Sequence, residues 1–362
     1  MLISADYSGG NIRLHGMYEE NGVTHVYLEQ DLTGTKRWWF YWNFRVDFAP
    51  AGDVEFHFLN RDVVCPRGPA VSADGRNWDY QPELLIDNKN FRYTFDGSGQ
   101  SRWFAFCIPY VFADLKAYQR KLAQNPLVEQ TILTVSEQGR DIPAFTFGSG
   151  SRNVFFASRA HCCEATGSFT LEGVIDELLT NERMLRDFRF FVVPMLDIDG
   201  VENGDQGKDR IPHDHNRDYL PEPHFAVIRA LQKLGADNPP YVFIDFHSPW
   251  NWGEEDDKPH IHLSVPTGHD PELQDVFVAN LRSMTKDLGD DKIIFNGVAV
   301  PTSEKDWKTL ACIGDGYFRS VLHAELSVTL ETPYSGNRSK PYSAAMLREW
   351  GHTVAKVLAA TI

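Results

Sequence analysis

The sequence has 362 residues, of which 42% are apolar and 13% aromatic, enough to bury a sizeable core and to form two domains. Its 50 acidic and 35 basic side chains give a formal net charge of −15, which disfavours general attraction to nucleic acid or to an anionic membrane surface. The first residues show no basic stretch followed by an apolar segment, and no long apolar run occurs, so we expect a cytoplasmic protein.

Residues 1–110 are predicted to form an antiparallel β-sandwich domain. Short β-like segments alternate here with clusters of Gly, Asn, Asp and Pro, which is the pattern of strands joined by turns. The segments are VTHVYLEQD, RWWFYWNFRVDF, VEFHFLN and NFRYTF. The histidines of this region, His15, His25 and His57, are predicted to be surface or packing residues.

Residues 111–362 are predicted to form a second domain. The pattern changes from Asp114 onward, because ADLKAYQRKLAQN has helical spacing and good helix formers. Apolar segments then alternate with helical ones: NVFFAS, FRFFVVPML and YVFIDFH with TLEGVIDELLTNERMLRDF and PHFAVIRALQKL. Buried strands that alternate with helices indicate an α/β fold, in which a mixed, mainly parallel sheet is flanked by helices.

The five cysteines are an odd number, and two of them are adjacent: Cys65, Cys107, Cys162, Cys163 and Cys312. Such a set is a poor basis for a disulfide framework. We therefore expect reduced thiols.

Potential metal ligands follow two of the predicted strands. His161 and Glu164 come after NVFFAS, and His247 is the last residue of YVFIDFH. Ligands gather at the carboxyl ends of strands in α/β sheets, so these three side chains are expected to converge. Two imidazoles and one carboxylate leave a zinc ion with an open fourth position for water. A lone His-x-x-Glu pair occurs by chance in many chains, and its alternative explanation is two surface residues.

Five motifs, taken in order, resemble those of the zinc metallocarboxypeptidase family, and the architecture resembles the cytosolic carboxypeptidase branch. The motifs read HCCE, PMLDIDGV, DHNR, DFH and TLETPYSG. The segment RWFAFCIPYVFADL also resembles the junction between the β-sandwich and the catalytic domain of that branch. The resemblance implies a Zn²⁺ cofactor and hydrolysis of the C-terminal peptide bond of peptides or proteins.

The resemblance also assigns roles around the metal, residue by residue. It implies that His161, Glu164 and His247 bind zinc, and that Glu331 of TLETPYSG is the general base. Asp214 of DHNR would accept the free ring N–H of His161 and fix its tautomer.

The same resemblance implies which residues bind the substrate. Asn216 and Arg217 would hold its terminal carboxylate, a planar anion that suits a bidentate guanidinium. The alternative for Arg217 is a surface pair with Asp218. Tyr317 is the first candidate for the family's mobile tyrosine, and Tyr334 is the second.

The sequence departs from the family's pattern in two places. The arginine that stabilises the developing oxyanion falls, by gap-free counting, on Gly207, so Lys208 or Arg210 is expected to replace it. The usual Pro-Gly between the first two ligands is Cys162-Cys163. We expect these cysteines to be small packing residues, although a thiolate could compete for zinc.

Two functions of other classes stay open. One is a zinc amidohydrolase that deacylates N-acyl amino acids, and the other is a non-catalytic binding protein with a degenerate site. The residue preference of a peptidase would depend on segments WNWGEEDDKPH and SEKDWK. The acidic first segment would favour basic substrates, and the second would favour acidic ones.

Overall fold

The computed structural model describes residues 1–37, 39–249, 260–262, 272–289, 292–295, 297–299, 311–336 and 341–362. Its N-terminal strands form two five-stranded sheets, ordered β1-β4-β10-β6-β7 and β2-β3-β5-β9-β8. The strands are β1 Leu2–Ser4, β2 Arg13–Glu20, β3 Val23–Glu29, β4 Asn43–Asp47, β5 Gly52–Phe58, β6 Ala70–Ser72, β7 Trp78–Tyr80, β8 Leu85–Asp87, β9 Asn90–Phe95 and β10 Arg102–Ala105.

Aromatic side chains from both sheets form the core of this N-terminal part. Phe44 and Phe104 of the first sheet pack against Phe56 of the second, with ring centroids 5.3 and 5.2 Å apart. This interleaving of inward-facing side chains is typical of a β-sandwich. The predicted N-terminal sheet domain is thus confirmed, with one difference: β3 and β5 pair in parallel, whereas the other strand pairs of these two sheets are antiparallel.

The second part of the chain contains an eight-stranded sheet, ordered β11-β12-β14-β13-β15-β18-β16-β17. Its strands are β11 Glu129–Val135, β12 Asp141–Phe147, β13 Arg152–Ser158, β14 Phe188–Val193, β15 Pro240–His247, β16 His260–His262, β17 Gly297–Ala299 and β18 Leu326–Glu331. The central strands β14, β13, β15 and β18 are parallel to one another, and antiparallel pairs lie toward both edges. The predicted mixed, largely parallel sheet is confirmed.

Helices cover this sheet on its two faces, as the alternation of apolar and helical segments predicts. They are α1 Phe112–Leu122, α2 Ala165–Leu178, α3 Glu182–Asp187, α4 Ile198–Asn203, α5 Ala226–Asp237, α6 Glu272–Thr285, α7 Gly314–Ser320 and α8 Ala344–Thr361. Short 3₁₀ turns occur at Pro82–Leu84 and His215–Arg217.

Two glycines let α2 and α8 approach closely. A Cβ added to Gly173 would lie 2.0 Å from the carbonyl oxygen of Arg348, and one added to Gly351 would lie 2.0 Å from that of Thr170. Only a residue without a side chain fits at such a crossing. The contact fixes α2, whose N-terminal end carries part of the functional site described below.

The strand order creates a crevice beside β13. The chain passes from β13 to its neighbour β14 on one side and then to β15 on the other. Between strands whose connections leave in opposite directions, the carboxyl ends form an open cleft, the usual ligand position in α/β sheets.

The N-terminal sandwich docks on the loop that follows α4. The Gln206 side chain is fully buried, accepts a hydrogen bond from the Tyr41 backbone N–H at 2.9 Å and donates to the Tyr41 carbonyl at 2.8 Å. Asn11 donates to the Gly204 carbonyl at 2.7 Å. One continuous set of buried apolar residues extends through both parts of the chain, and the domain boundary at 110/111 stays a prediction. Within the described residues, no helix combines the length and apolar character needed to cross a bilayer.

Candidate metal centre and active site

Three potential metal ligands meet at the carboxyl ends of β13 and β15. His161 and Glu164 lie in the turn between β13 and α2, and His247 is the last residue of β15. Nδ1 of His161 lies 2.8 Å from Oε1 of Glu164, and Nδ1 of His247 lies 2.8 Å from Oε2 of the same carboxylate. The ligand atoms all lie within 4.8 Å of one another, so this trio, hereafter the metal centre, could bind a metal ion.

Each histidine of the metal centre has a carboxylate on its far side. Oδ1 of Asp214 lies 3.5 Å from Nε2 of His161, and Oδ2 of Asp245 lies 3.0 Å from Nε2 of His247. Carboxylates in these positions favour the Nε2–H tautomer and leave both Nδ1 atoms for a metal. Asp245 is not among the residues that the sequence predicts for the site, although its position two residues before His247 places both side chains on one face of β15.

The Glu164 carboxylate is buried among donors. Nζ of Lys208 lies 2.8 Å from Oε1, and the backbone N–H of Ser248 donates to Oε2 at 3.1 Å. Burial alone would raise the pKa of Glu164, but Lys208 and the two histidines outweigh burial and hold the pKa well below its usual value. The carboxylate therefore stays ionised, as a metal ligand must.

The neighbouring carboxylates also change the pKa values of the two histidines. Burial favours the neutral imidazole, yet the neighbouring carboxylates outweigh it and raise the pKa of His161 and, more strongly, of His247. A pocket with this much negative charge favours a cation. A divalent ion would replace the ring protons at the two Nδ1 atoms, so the residues present fit a bound metal.

Glu331, the expected general base, is the last residue of β18 and lies opposite His247 in the strand register. In the part of the chain that the structure describes, its Oε2 is buried and has no hydrogen-bond partner. Burial lowers the pKa of Lys208, whereas Glu164 and, more weakly, Glu331 raise it above its usual value. Glu331 therefore lies within electrostatic range of the Lys208 ammonium.

One 3₁₀ turn, His215–Arg217, connects the metal centre to the predicted carboxylate-binding residues. Oδ1 of Asp214, just before this turn, lies 3.5 Å from Nε2 of His161 and 3.7 Å from Nη1 of Arg217. The Arg217 side chain is 44% exposed. Asn216 is buried, and its Oδ1 accepts a hydrogen bond from the backbone N–H of Gly314 at 3.2 Å.

The two candidates for a mobile tyrosine have different surroundings. Tyr317, on α7, is partly buried, and its ring tilts against Tyr219 with centroids 5.6 Å apart. Burial raises the pKa of Tyr317. Tyr334 is buried and packs edge-on against Phe40 and Phe106, each at 5.3 Å, as expected of a core aromatic.

Comparisons with known proteins agree with this geometry. Residues 115–221 match the family described as zinc carboxypeptidase. Cytosolic carboxypeptidase 2 of Macaca fascicularis is 29% identical over 168 residues, which are 40% of this chain and 20% of that protein. The resemblance expected from the five motifs is confirmed. Residues 115–221 are thus similar to the zinc carboxypeptidase family.

Solved structures extend the likeness of fold over nearly the whole chain. The metallo-carboxypeptidase from Burkholderia cenocepacia is 16% identical, with a TM-score of 0.82 over 99% of this chain and 98% of that one. The metallo-carboxypeptidase from Pseudomonas aeruginosa, in complex with (2-guanidinoethylmercapto)succinic acid, is 19% identical, with a TM-score of 0.80 and the same coverage. The carboxypeptidase-like fold therefore includes the N-terminal sandwich.

Position 207 cannot carry a side chain without displacing the backbone at His161 and Cys162, beside the metal centre. Gly207 has φ +78°, and a Cβ there would lie 2.5 Å from the backbone nitrogen of Cys162 and 3.1 Å from the carbonyl carbon of His161. The close approach explains why a glycine stands where gap-free counting expects an arginine. The adjacent Lys208 reaches the Glu164 carboxylate instead.

Aromatic rings from both parts of the chain surround the Lys208 ammonium. Nζ lies 5.7 Å from the ring centroid of Trp39, 6.0 Å from that of Phe40 and 5.7 Å from that of Tyr334. The Pro249 carbonyl accepts a hydrogen bond from Nζ at 2.8 Å. Ring faces and a carbonyl stabilise a buried cation, so Lys208 keeps its charge beside the metal centre.

Arg210, the other expected cation, pairs with carboxylates that are not part of the metal centre. Its guanidinium forms ion pairs with Asp197 and, at 3.0 Å, with Asp205. Both carboxylates belong to the region around α4, so these pairs hold the loop after that helix. The structure thus brings Lys208, rather than Arg210, into contact with a metal-centre residue.

The two cysteines between the first ligands are buried packing residues in the structure. Sγ of Cys162 donates to the Asp205 carbonyl at 3.0 Å, and burial raises the pKa of Cys163 to about 12. Among the described residues, neither thiol belongs to the group of ligand atoms that could hold a metal ion. All five cysteines lie in the described part of the chain, and none of them is joined in a disulfide.

The segments expected to set residue preference, WNWGEEDDKPH and SEKDWK, lie outside the described residues except for the backbone at His260. Their effect on specificity stays a prediction.

The substitution Gly207→Ala is expected to destabilise the protein by about 3 kcal/mol, because backbone overlap adds to the strain of a positive φ. Gly22 offers a matched control, since it has the same φ of +78° and open space where a Cβ would be added. Gly22→Ala should cost only about 1 kcal/mol. Urea unfolding of both variants measures the difference, and equal losses would contradict the close approach.

Proposed function

We propose that this chain is a zinc-dependent metallocarboxypeptidase that removes C-terminal residues from peptides or proteins. The observation that carries the proposal is the position of Asp214, which lies beside both a metal-centre histidine and Arg217. An exposed guanidinium fixed this close to a hydrolytic metal centre suits a substrate with a free carboxylate next to the scissile bond. The sequence match covers 20% of cytosolic carboxypeptidase 2, so the whole activity of that protein cannot simply be transferred. The proposal therefore rests on the site and on the family match together.

His161, Glu164 and His247 would hold the zinc ion. When bound there, zinc supplies Lewis-acid chemistry, which acidifies water and polarises a carbonyl group. Asp214 and Asp245 orient the two imidazoles through their Nε2 atoms, and Lys208 keeps Glu164 ionised.

Glu331 would accept a proton from the attacking water and return it to the leaving amine. Its buried, unpartnered oxygen is prepared for this role, because no hydrogen bond within the described residues must break first. Its place at the carboxyl end of β18, opposite His247 in the register, keeps it next to the metal centre.

Arg217 and Asn216 would position the substrate. Since the Gly314 N–H already occupies Oδ1 of Asn216, the Nδ2 group is the part of that amide that can donate to a carboxylate. With the terminal carboxylate held by both residues, the preceding peptide carbonyl is placed at the metal centre.

Lys208 would stabilise the negative charge that develops on the carbonyl oxygen. It is a buried cation in contact with the metal centre, and a preorganised charge in a dry pocket is an effective donor to an oxyanion.

Glu331→Gln is expected to keep zinc but to lower kcat by at least about a hundredfold, because an amide cannot accept the proton. Mass spectrometry of products from a peptide mixture, with and without a chelator, measures the activity, the cleaved end and the metal requirement together. Glu325→Gln, at an exposed position, is the control. Chelator-insensitive cleavage, or cleavage of N-acyl amino acids in preference to peptides, would overturn the proposed function.

Arg217→Ala is expected to lower kcat/KM about a hundredfold for peptides with a free C-terminus, through loss of the charged pair with the carboxylate. C-terminally amidated peptides lack that charge and should show little further loss. Arg186→Ala removes an exposed arginine on α3 and serves as the control. Equal losses on free and amidated peptides would argue against the carboxylate-binding role.

Lys208→Gln, assayed at saturating zinc, is expected to lower kcat about a hundredfold, because one oxyanion donor is lost. Zinc should also bind more weakly, because Glu164 loses the cation that keeps it ionised. Arg210→Gln should instead lower the melting temperature, with kcat within a few fold of the wild type, because its ion pairs hold the loop. Zinc analysis, thermal unfolding and steady-state kinetics of both variants test the assignment. If Arg210→Gln instead lowers kcat about a hundredfold and Lys208→Gln lowers only the melting temperature, Arg210 is the catalytic cation.

A further inference from the structure

The outer face of the second N-terminal sheet carries another group of two histidines and a glutamate. His25 lies on β3, and Glu55 and His57 lie on the parallel strand β5. Nδ1 of His25 lies 2.9 Å from Nε2 of His57, and each of these nitrogens lies 3.5 Å from Oε2 of Glu55. From the sequence, both histidines are expected to be ordinary surface or packing residues.

These three atoms form a triangle of the size that a zinc ion needs. With bonds of about 2.0–2.1 Å, tetrahedral zinc holds its ligand atoms roughly 3.3 Å apart. The observed separations of 2.9, 3.5 and 3.5 Å differ from this value by a few tenths of an ångström. We propose that His25, Glu55 and His57 form a second zinc site, separate from the metal centre and independent of the proposed peptidase activity.

Neighbouring side chains already orient the ligands. Nδ1 of His57 lies 2.8 Å from Oδ1 of Asn90, and the Asn90 amide nitrogen donates to the Asp87 carboxylate at 2.7 and 2.8 Å. This chain places the Asn90 oxygen toward the ring, so His57 carries its proton on Nδ1 and leaves Nε2 as a lone-pair donor. Arg92 binds Oε1 of Glu55, while Oε2 remains on the side of the histidines.

Aromatic rings hold the two imidazoles in place. The Tyr18 ring stacks on His25 with centroids 5.2 Å apart, and the Tyr27 ring stacks on His57 at 5.0 Å. The side chains of His25, Glu55 and His57 are 17%, 13% and 19% exposed. They are therefore ordered by their neighbours but still reached by solvent, which leaves a fourth position for water on a bound ion.

Zinc at this site would join the two strands that the sandwich pairs in parallel. No hairpin links β3 to β5, because β4, which lies between them in sequence, belongs to the other sheet. Zinc would replace the hydrogen bond between the two imidazoles with two metal–nitrogen bonds and a bond to Glu55, and the ring proton of His25 would move from Nδ1 to Nε2. The site is thus placed to stabilise the sandwich rather than to act on the substrate.

Zinc stoichiometry of the full chain tests the proposal. Protein stripped with a chelator, equilibrated with micromolar Zn²⁺ and freed of excess metal should contain two zinc ions by mass spectrometry. His57→Gln and His247→Gln should each retain one, and the double variant none. His15→Gln is the matched control, because His15 lies on the adjacent strand β2 beside a single carboxylate, Glu29, at 2.9 Å. It should retain two.

Thermal unfolding gives a second measurement that does not involve activity. In the His247→Gln background, zinc should raise the melting temperature, and His57→Gln should abolish the rise. If His57→Gln does not fold by circular dichroism, Glu55→Gln and His25→Gln provide the same comparison. A single zinc ion in the wild type that His247→Gln removes, or two ions retained by a folded His57→Gln variant, would overturn the proposal.

Discussion

The metal centre depends on keeping the Glu164 carboxylate ionised in a buried pocket. An ionised carboxylate without partners is very unfavourable in such a place. Here two imidazole nitrogens, the Lys208 ammonium and the Ser248 backbone N–H all lie within 3.1 Å of its oxygens. These donors come from three separate segments of the chain. The folded chain therefore buries Glu164 only together with these donors.

The loop after α4 links this assembly to the N-terminal sandwich. It supplies Lys208 to the carboxylate and, further on, the 3₁₀ turn with Arg217, while its own start is held by the Gln206 side chain against the N-terminal sandwich. Gly207 lies against the backbone of the first metal-centre residue. The spacing between Lys208, the 3₁₀ turn with Arg217 and the metal centre is thus fixed by contacts made outside the cleft.

Much of this arrangement follows from the sequence, and the exceptions have physical causes. NVFFAS and YVFIDFH are buried on both faces, so their continuous apolar pattern predicts strands, and polar residues at their ends predict a site. Asp245 is harder to find because it stands inside an apolar strand. The choice between Lys208 and Arg210 depends on the path of a loop, about which hydrophobic periodicity says nothing. The functional roles assigned to these residues stay predictions.

The group of His25, Glu55 and His57 could not be predicted from the sequence, for a different reason. His25 and Glu55 are neighbours only because β3 and β5 pair in parallel, in a domain where alternating segments and turns indicate antiparallel pairing. Strand pairing of this kind depends on the whole sandwich and not on the local pattern. Potential ligands that are divided between β3 and β5 form no continuous motif in the sequence.

The aromatic rings around Lys208 limit which substitutions the N-terminal sandwich can accept. Trp39 and Phe40 belong to the sandwich, yet they shield an ammonium that belongs to the other half of the chain. Exchange of the sandwich for an unrelated β module would leave that ammonium hydrated and free to swing away from Glu164. Residues near position 40 are therefore constrained by the charge at position 208, although they lie in a different half of the chain.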